Sequence, residues 1–357
     1  MNTIKVQSKK KITLIGCGRR IKRTIIPALL ELAHLVEIQS VSTRSKLSPE
    51  DVHFLDGCNL IHTYLNDINL QSTDILYIGI PAFALSPVLK QLTKKVGLLA
   101  RNITLVIDTP FPVGKNTFDL SRSLKLFKRV CVLEDCIYLL PYSISFSCGT
   151  SYSLGSPAFA SFIHSGFTYH AYSQIKEFHK IVGFDFVRRH NGKSKFSQQL
   201  LFKNGKHIAS IIEPRDYRHG MFSFWYKNGT FSDYIKGEQS EGFADILCRP
   251  IVTNSMLEGF DLRCNGRVIS RYFFDSPKRI DTVYDKNSIF HACKVEAAKS
   301  YLEKILVSED VVPYSASAAA YDQCVNIMTQ KLGFFVDTRL PFFRKSVVLM
   351  LIEMILK

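Results

Sequence analysis

A short β-rich run that ends in Gly-x-Gly and continues directly into a helical pattern constrains this chain more than any other feature. The run is Lys11–Ile15, the motif is Gly16-Cys17-Gly18, and the apolar periodicity extends over Arg19–Leu32. In α/β proteins this order builds a phosphate site, because the first glycine allows the turn, the second lets phosphate approach, and the helix offers unpaired N–H donors. The third fingerprint position holds Ile21 instead of Gly or Ala, so an ordinary strand–turn–helix unit is the alternative.

The residues at the end of the next predicted strand distinguish between NAD and NADP as the dinucleotide. The strand Val36–Ser42 is followed by Thr43-Arg44, near the position about 20 residues after the glycines that meets the adenosine ribose. A carboxylate there suits a free 2′-hydroxyl, whereas arginine and small hydroxyls suit a 2′-phosphate. Because no acid stands at this strand end, we predict a preference for NADP over NAD. The alternative is that Arg44 is a solvated loop cation.

The first half of the chain alternates strands and helices. The segments Asp74–Ile80, Asn102–Ile107 and Arg129–Leu133 are apolar runs typical of buried parallel strands, and Ala82–Lys95 has helical spacing. Alternation of this kind predicts a parallel sheet with right-handed crossovers. Ligands bind at the carboxyl ends of such strands, so the residues that follow each strand are expected to converge on one crevice.

The second half has a different pattern. Asn-Gly pairs at 204–205, 228–229 and 265–266 lie between apolar runs, which is the strongest short-range signal for a β-hairpin. Helical patterns return at 289–306, at 316–332 and from residue 344. We therefore predict an α/β Rossmann domain with a parallel sheet over residues 1–141, followed by an α+β domain on a large antiparallel sheet over residues 142–357.

Composition excludes several classes of protein. With 46% hydrophobic and 22% charged residues, the 357-residue chain is globular and not disordered. The net charge of +15 is spread along the chain without a nucleic-acid-binding motif, so nucleic acid is not an expected partner. The nine cysteines have no metal-ligand spacing, no apolar run is long enough to span a membrane, and the polar N-terminus lacks a signal-peptide core. We expect a cytoplasmic protein without a metal site.

The order of five elements resembles a known family. These elements are Ile15-Gly16-Cys17-Gly18, Ser42-Thr43-Arg44-Ser45, Ile78-Gly79-Ile80-Pro81, Asp108-Thr109-Pro110 and Leu139-Leu140-Pro141. They are similar to those of the glucose–fructose oxidoreductase/inositol dehydrogenase (Gfo/Idh/MocA) family. The resemblance implies a Rossmann domain, an antiparallel-sheet domain that forms a homo-oligomer interface, and hydride transfer between NAD(P) and a small polar substrate such as a sugar or nucleotide sugar.

The motifs and this resemblance together predict the cofactor site. Its expected residues lie in the first turn and at the strand ends: Gly16, Cys17, Gly18, Arg19, Arg20, Ile21, Ser42, Thr43, Arg44, Ile80, Pro81, Asp108 and Pro110. The expected cofactor is NADP, with NAD as the other possibility.

The chain departs from the family where catalysis is concerned. The usual Glu-Lys-Pro is Asp108-Thr109-Pro110 here, and a threonine hydroxyl cannot exchange a proton near neutral pH. Thr109 is expected to contact the substrate, and two residues are candidates for the proton donor. Tyr142 follows Pro141 at the predicted crevice, with a structural tyrosine as the alternative. His219 resembles the family's Asp-x-x-x-His element with one residue fewer, and a surface histidine is its alternative. The missing lysine leaves two further functions open: a reductase of C=N or C=C bonds and a non-catalytic NAD(P)-binding protein.

Overall fold

The computed structural model describes residues 8–108, 115–133, 135–140, 143–144, 157–163, 185–191, 198–204, 207–213, 221–226, 229–233, 246–280 and 286–307. These residues divide into two compact units. One unit contains the described residues up to Asp135 together with those from Ala298 to Val307, and the other contains those from Cys136 to Ala297. The domain boundary at 141/142 stays a prediction, and the return of the last helix to the first unit was not predicted.

The first unit is built on a parallel sheet, as the sequence predicted, and the sheet has six described strands, of which the third, His62–Tyr64, was not predicted. The described strands are β1 (Lys10–Ile15), β2 (Val36–Thr43), β3 (His62–Tyr64), β4 (Ile75–Ile78), β5 (Thr104–Asp108) and β6 (Arg129–Leu133). Their order in the sheet is β3-β2-β1-β4-β5-β6, and every neighbouring pair is parallel. The strand order reverses between β1 and β4, which is where such sheets bind ligands.

Helices connect the strands of the first unit. They comprise a π-helical segment (Ile21–Ile25) continuing into α1 (Ile26–Glu31), then α2 (Pro49–Gly57), α3 (Ala82–Val96), a 3₁₀ segment (Gly97–Asn102) and α4 (Lys115–Leu124). A further 3₁₀ segment (Asp135–Tyr138) follows β6 in the chain. Ser48 caps the start of α2, because its hydroxyl accepts a 3.2 Å hydrogen bond from the Asp51 N–H.

The two faces of the parallel sheet bury different residues. On one face, alternate residues of β4 to β6 join side chains of α3 and α4 in a core: Leu76, Ile78, Leu105, Ile107, Val130, Val132, Leu85, Leu89, Leu92, Leu120 and Leu124. Because side chains alternate along a strand, Tyr77 and Asp108 face the opposite side. The last helix, α5 (Lys286–Val307), also contributes to the first unit, since the buried Tyr301 hydroxyl donates a 2.8 Å hydrogen bond to the Val132 carbonyl.

The second unit carries the large sheet. Its described strands are β7 (Pro157–Ile163), β8 (Asp185–Asn191), β9 (Gln198–Asn204), β10 (His207–Glu213), β11 (Met221–Tyr226), β12 (Gly229–Asp233), β13 (Ile246–Thr253), β14 (Met256–Cys264) and β15 (Arg267–Arg279). Their order is β15-β14-β13-β12-β11-β7-β10-β9-β8. The sheet is mostly antiparallel, as predicted; β7 and β10 pair in parallel, as do β12 and β13.

The three Asn-Gly pairs each join antiparallel neighbours. Strands β9 and β10, β11 and β12, and β14 and β15 pair across them. At the third turn, Asn265 and Gly266 have φ angles of 50° and 76°, which is the positive-φ geometry that favours Asn-Gly. The helical patterns at 316–332 and from residue 344 lie outside the described residues. Within the described ranges, no helix combines the length and apolar character needed to cross a membrane.

Candidate dinucleotide-binding site

Gly16 makes the tight turn at the end of β1. Its φ is +105°, and a Cβ atom at this position would lie 2.6 Å from the carbonyl oxygen of Gly79 and 3.1 Å from Cγ2 of Ile80. Its N–H donates a 2.8 Å hydrogen bond to the Ser42 carbonyl. Both the backbone conformation and the close approach of β4 therefore require glycine here. The turn brings the ends of β1, β2 and β4 together, as the sequence predicted.

Gly18 lies in open space at the start of the helix. It is exposed, and a Cβ atom added to it would meet no heavy atom within 4 Å. The first hydrogen bond of the helix runs from the Lys22 N–H to the Gly18 carbonyl at 3.1 Å, so the N–H groups of residues 19–21 have no partner within the helix. The backbone beside Gly18 thus offers donors and a partial positive charge to an anion.

Ile21 occupies the third fingerprint position because the facing strand provides the space. Ile21 is fully buried, and a Cβ atom on Gly79 would lie 2.5 Å from its Cδ1 and 2.9 Å from its Cγ1. In the usual motif, a small residue on the helix permits close packing against the strand. Here Gly79 at the strand end is the small residue and Ile21 on the helix is the large one. The helix and the strand can therefore still pack closely.

The helix that begins at this turn contains a π-helical segment, Ile21–Ile25, just before α1. The Ile26 N–H donates to the Ile21 carbonyl, five residues back. Pro27 follows at once; a proline has no N–H, and in an α-helix its ring would collide with the carbonyl four residues earlier. The wider turn accommodates this proline, and π segments of this kind occur frequently at functional sites.

The end of β2 is joined to β3 by side-chain hydrogen bonds. Ser42 is fully buried, and its hydroxyl lies 2.5 Å from the Thr63 hydroxyl. The Thr43 hydroxyl donates to the Ser45 carbonyl at 2.7 Å and lies 2.8 Å from Nε2 of His62. Since a hydroxyl has one proton, Nε2 of His62 must be the donor in the second contact. The hydroxyls of Ser42 and Thr43 are therefore already engaged within the protein.

Three exposed cations lie in the turn and just past the end of β2. Arg19, Arg44 and Lys46 are exposed, and none of them forms a salt bridge with a described residue. Lys22 differs, because its ammonium group pairs with the Asp51 carboxylate at the start of α2. Arg44 stands where the sequence analysis places it, just past the end of β2, with Lys46 two residues further along.

Arg20 points to the other side of the turn and bridges two carboxylates. Its Nη2 donates a 2.5 Å hydrogen bond to Oδ2 of Asp135, and its Nε lies 3.5 Å from Oδ1 of Asp108. The side chain of Asp135 is fully buried, that of Asp108 is 10% exposed and that of Arg20 is 25% exposed. We call these three residues the Arg20 cluster.

The electrostatics of this cluster keep its guanidinium charged. Burial alone would lower the pKa of Arg20, but the charges of Asp135 and Asp108 outweigh it and raise the pKa well above its usual range. Burial, followed by the charge of Asp108, raises the pKa of the Tyr77 hydroxyl well above its usual range. Tyr77 is therefore neutral beside the cluster. Burial and the charge of Asp51 likewise raise the pKa of the Cys17 thiol, which disfavours a nucleophilic role.

The remaining predicted site residues fall into two groups. Ile80 is half-buried and Pro81 is exposed at the end of β4, beside the Gly16 turn. Thr109, Pro110, Tyr142 and His219 lie outside the described residues, so their roles stay predictions. Tyr77, His62 and Asp135 were not predicted as site residues. Tyr77 was part of an apolar strand pattern, and no sequence signal pairs Asp135 with a side chain 115 residues earlier.

Solved structures are similar to this chain, whereas sequence comparisons find no match. No protein-family model matches the chain, and no curated protein matches its sequence. Its structure is similar to that of a UDP-N-acetylglucosamine 3-dehydrogenase from Acidithiobacillus ferrooxidans, with a TM-score of 0.57 and 10% identity over 90% of this chain and 97% of that chain.

Two further solved structures are similar. One is a lysine-to-alanine variant of a 3-ketoreductase from Actinomadura kijaniata in complex with TDP-benzene and NADP, with a TM-score of 0.56 and 10% identity over 90% of this chain and 96% of that chain. The other is an oxidoreductase from Agrobacterium radiobacter in complex with NAD⁺, L-tartaric acid and magnesium, with a TM-score of 0.59 and 11% identity over 92% and 98%. At this level of identity the likeness shows the fold: the chain has the Rossmann-like parallel sheet and second, mostly antiparallel sheet that its family resemblance predicts.

Proposed function

We propose that the chain is an NADP-preferring oxidoreductase of the Gfo/Idh/MocA type. It transfers hydride to or from a small polar substrate such as a sugar, a nucleotide sugar or a related carbonyl compound. The observation that carries the proposal is the open phosphate turn, in which a Cβ atom on Gly18 would meet no described heavy atom within 4 Å and the N–H groups of residues 19–21 have no partner within the helix. The fold and the oxidoreductases that share it support the same chemistry.

The preference for NADP is argued from charge at the end of β2. Exposed Arg44 and Lys46 can approach an added phosphate, and no carboxylate stands among residues 42–47 to accept from a free ribose hydroxyl. Ser42 contributes differently from the sequence-based expectation, since its buried carbonyl holds the Gly16 N–H. In this proposal Arg44 binds the 2′-phosphate, and Gly16, Gly18 and the helix donors bind the pyrophosphate.

Replacing Arg44 with aspartate tests the cofactor preference. One charge-assisted contact to phosphate contributes about 1.5–3 kcal/mol, so Arg44→Asp is expected to weaken NADPH binding by one to two orders of magnitude and to spare NADH. Calorimetric titration of both cofactors measures this. The matched control is Arg101→Asp, which makes the same charge change on an exposed residue just before β5, at the amino ends of the strands and away from the proposed site at their carboxyl ends. A wild-type chain that binds both cofactors equally would contradict the preference.

The proton donor is proposed from the sequence alone. Thr109 contacts the substrate, and either Tyr142 or His219 exchanges the proton. Tyr142→Phe and His219→Asn are each compared with the wild type across pH in an NADPH oxidation assay with a panel of carbonyl compounds. The donor's variant should lose about 100-fold in turnover. If His219 is the donor, the wild-type rate should also change through the imidazole range. If neither variant loses turnover, both assignments fail, and a non-catalytic protein or a C=N or C=C reductase that lacks the lysine becomes the better account.

A homo-oligomer that forms through the second sheet is part of the proposal. Strand β15 supports it, because Phe273 on this edge strand is 60% exposed and Val268 is 40% exposed. Exposed large apolar side chains on a sheet are typical of protein interfaces. Light scattering of the purified chain would measure the oligomeric state.

A further inference from the structure

The Arg20 cluster lies at one particular half of the proposed site. A dinucleotide crosses the sheet where the strand order reverses, with its pyrophosphate at the β1 turn and its adenosine ribose at the end of β2. Asp108 ends β5 and Asp135 follows β6, on the other side of the turn from β2. The cluster therefore belongs to the half of the crevice that receives the nicotinamide, whereas Arg44 belongs to the adenosine half.

The surroundings of the cluster make its charges effective. Asp135 is fully buried, Tyr77 is fully buried and neutral beside it, and the guanidinium of Arg20 pairs with two carboxylates of which the more exposed is only 10% exposed. Charges interact more strongly where water is excluded. The guanidinium is also fixed in direction, because its Nε and Nη2 face different carboxylates.

Oxidised and reduced nicotinamide differ by one positive charge on the ring. A fixed guanidinium nearby disfavours the oxidised form, and a fixed carboxylate favours it. We propose that the Arg20 cluster sets the relative affinity of the site for the oxidised and reduced forms of the cofactor. This inference rests on the proposed function, and it concerns only the ratio of the two affinities. Contributions from the phosphates and the adenosine cancel in that ratio, because they are identical in both forms.

The test uses two substitutions with opposite expected signs. Arg20→Met removes a positive charge, so the ratio of the dissociation constants for NADP⁺ and NADPH should fall about tenfold. Asp135→Asn removes a negative charge and should raise the same ratio. The double variant should return the ratio to near the wild-type value. Calorimetry for NADP⁺ and nicotinamide fluorescence for NADPH measure the two constants without requiring a substrate.

Controls separate charge from structural damage. Arg19→Met removes the neighbouring exposed cation; it should weaken both forms alike and leave the ratio unchanged. Arg20→Lys keeps the charge and should keep the ratio. Arg20→Met could fail to fold, because it removes the cation that pairs with a buried carboxylate. In that case the proposal is tested by the other two variants: the ratio should rise in Asp135→Asn and stay unchanged in Arg20→Lys.

Two failures are distinguishable. A wild-type chain that binds neither form contradicts the proposed function, and this inference falls with it. A wild-type chain that binds both forms, with ratios that do not change in Arg20→Met and Asp135→Asn, contradicts this inference alone. Ratios that shift in the same direction in both variants would also overturn it, because they would reflect altered shape and not charge.

Discussion

Replacing Gly18 with valine is expected to abolish cofactor binding while the fold remains intact. A side chain at this position enters open space in the protein, with no heavy atom within 4 Å of the new Cβ. The same space is the path by which a pyrophosphate would reach the helix N–H groups. Losing two charged hydrogen bonds of about 1.5–3 kcal/mol each would weaken binding about a hundredfold or more. Calorimetry with NADPH measures the loss, and circular dichroism checks the fold.

Gly57 offers a matched control for this substitution. It ends α2, it is exposed, and a Cβ atom there also meets nothing within 4 Å. Gly57→Val should therefore bind NADPH with the wild-type affinity. Normal binding by Gly18→Val would mean that the two glycines serve only the turn, and the proposed phosphate site would have to be abandoned.

A double-mutant cycle is expected to show strong energetic coupling between Ile21 on the first helix and Gly79 at the end of β4. Truncating the fully buried Ile21 to alanine is expected to cost about 2–5 kcal/mol of the free energy of unfolding. Gly79→Ala should cost about 1–3 kcal/mol, because the new Cβ would lie 2.5 Å from Cδ1 of Ile21. In the double variant the alanine on β4 fills part of the space that Ile21 leaves. We expect the double variant to lose less free energy of unfolding than the two single variants together, by at least about 1 kcal/mol.

Chemical denaturation of the four proteins in this cycle measures the coupling. The reference cycle pairs Ile21→Ala with Gly57→Ala, whose costs should add within about 0.5 kcal/mol because a Cβ atom on Gly57 would meet no described heavy atom within 4 Å. Additive costs for Ile21→Ala and Gly79→Ala would show that the helix and the strand do not compete for the same volume.

Most of the fold could be predicted because its signals are local. The buried runs of β1, β2, β4, β5 and β6 and the three Asn-Gly hairpins appear at the predicted places. A fourth hairpin between Thr253 and Met256 was not predicted. Its central residues Asn254 and Ser255 have φ angles of 50° and 60°, and serine carries no sequence signal for that conformation. The parallel pairs in the second sheet join distant segments, and their pairing depends on tertiary contacts.

The site was predictable in outline, but its hydrogen-bond partners were not. Gly16 and Gly18 predicted the turn. Arg44, in a segment without an acidic residue, predicted a basic surface after β2. The pairing of Ser42 with Thr63 depends on β3, a strand of three residues without a clear pattern. In the sequence, Ile21 departs from the glycine fingerprint. Only the structure shows that Gly79 on the facing strand leaves room for its side chain.

The last helix also affects how the first sheet is completed during synthesis. The Tyr301 hydroxyl bonds to the carbonyl of Val132, 169 residues earlier, and the Arg129 guanidinium bonds to the carbonyl of Ile305. A ribosome that adds about 5–20 residues per second needs about 10–30 s between those two points. During that interval the nascent chain holds six strands without the helix that covers this part of β6. The first half of the protein therefore reaches its final packing only when nearly the whole described chain has emerged.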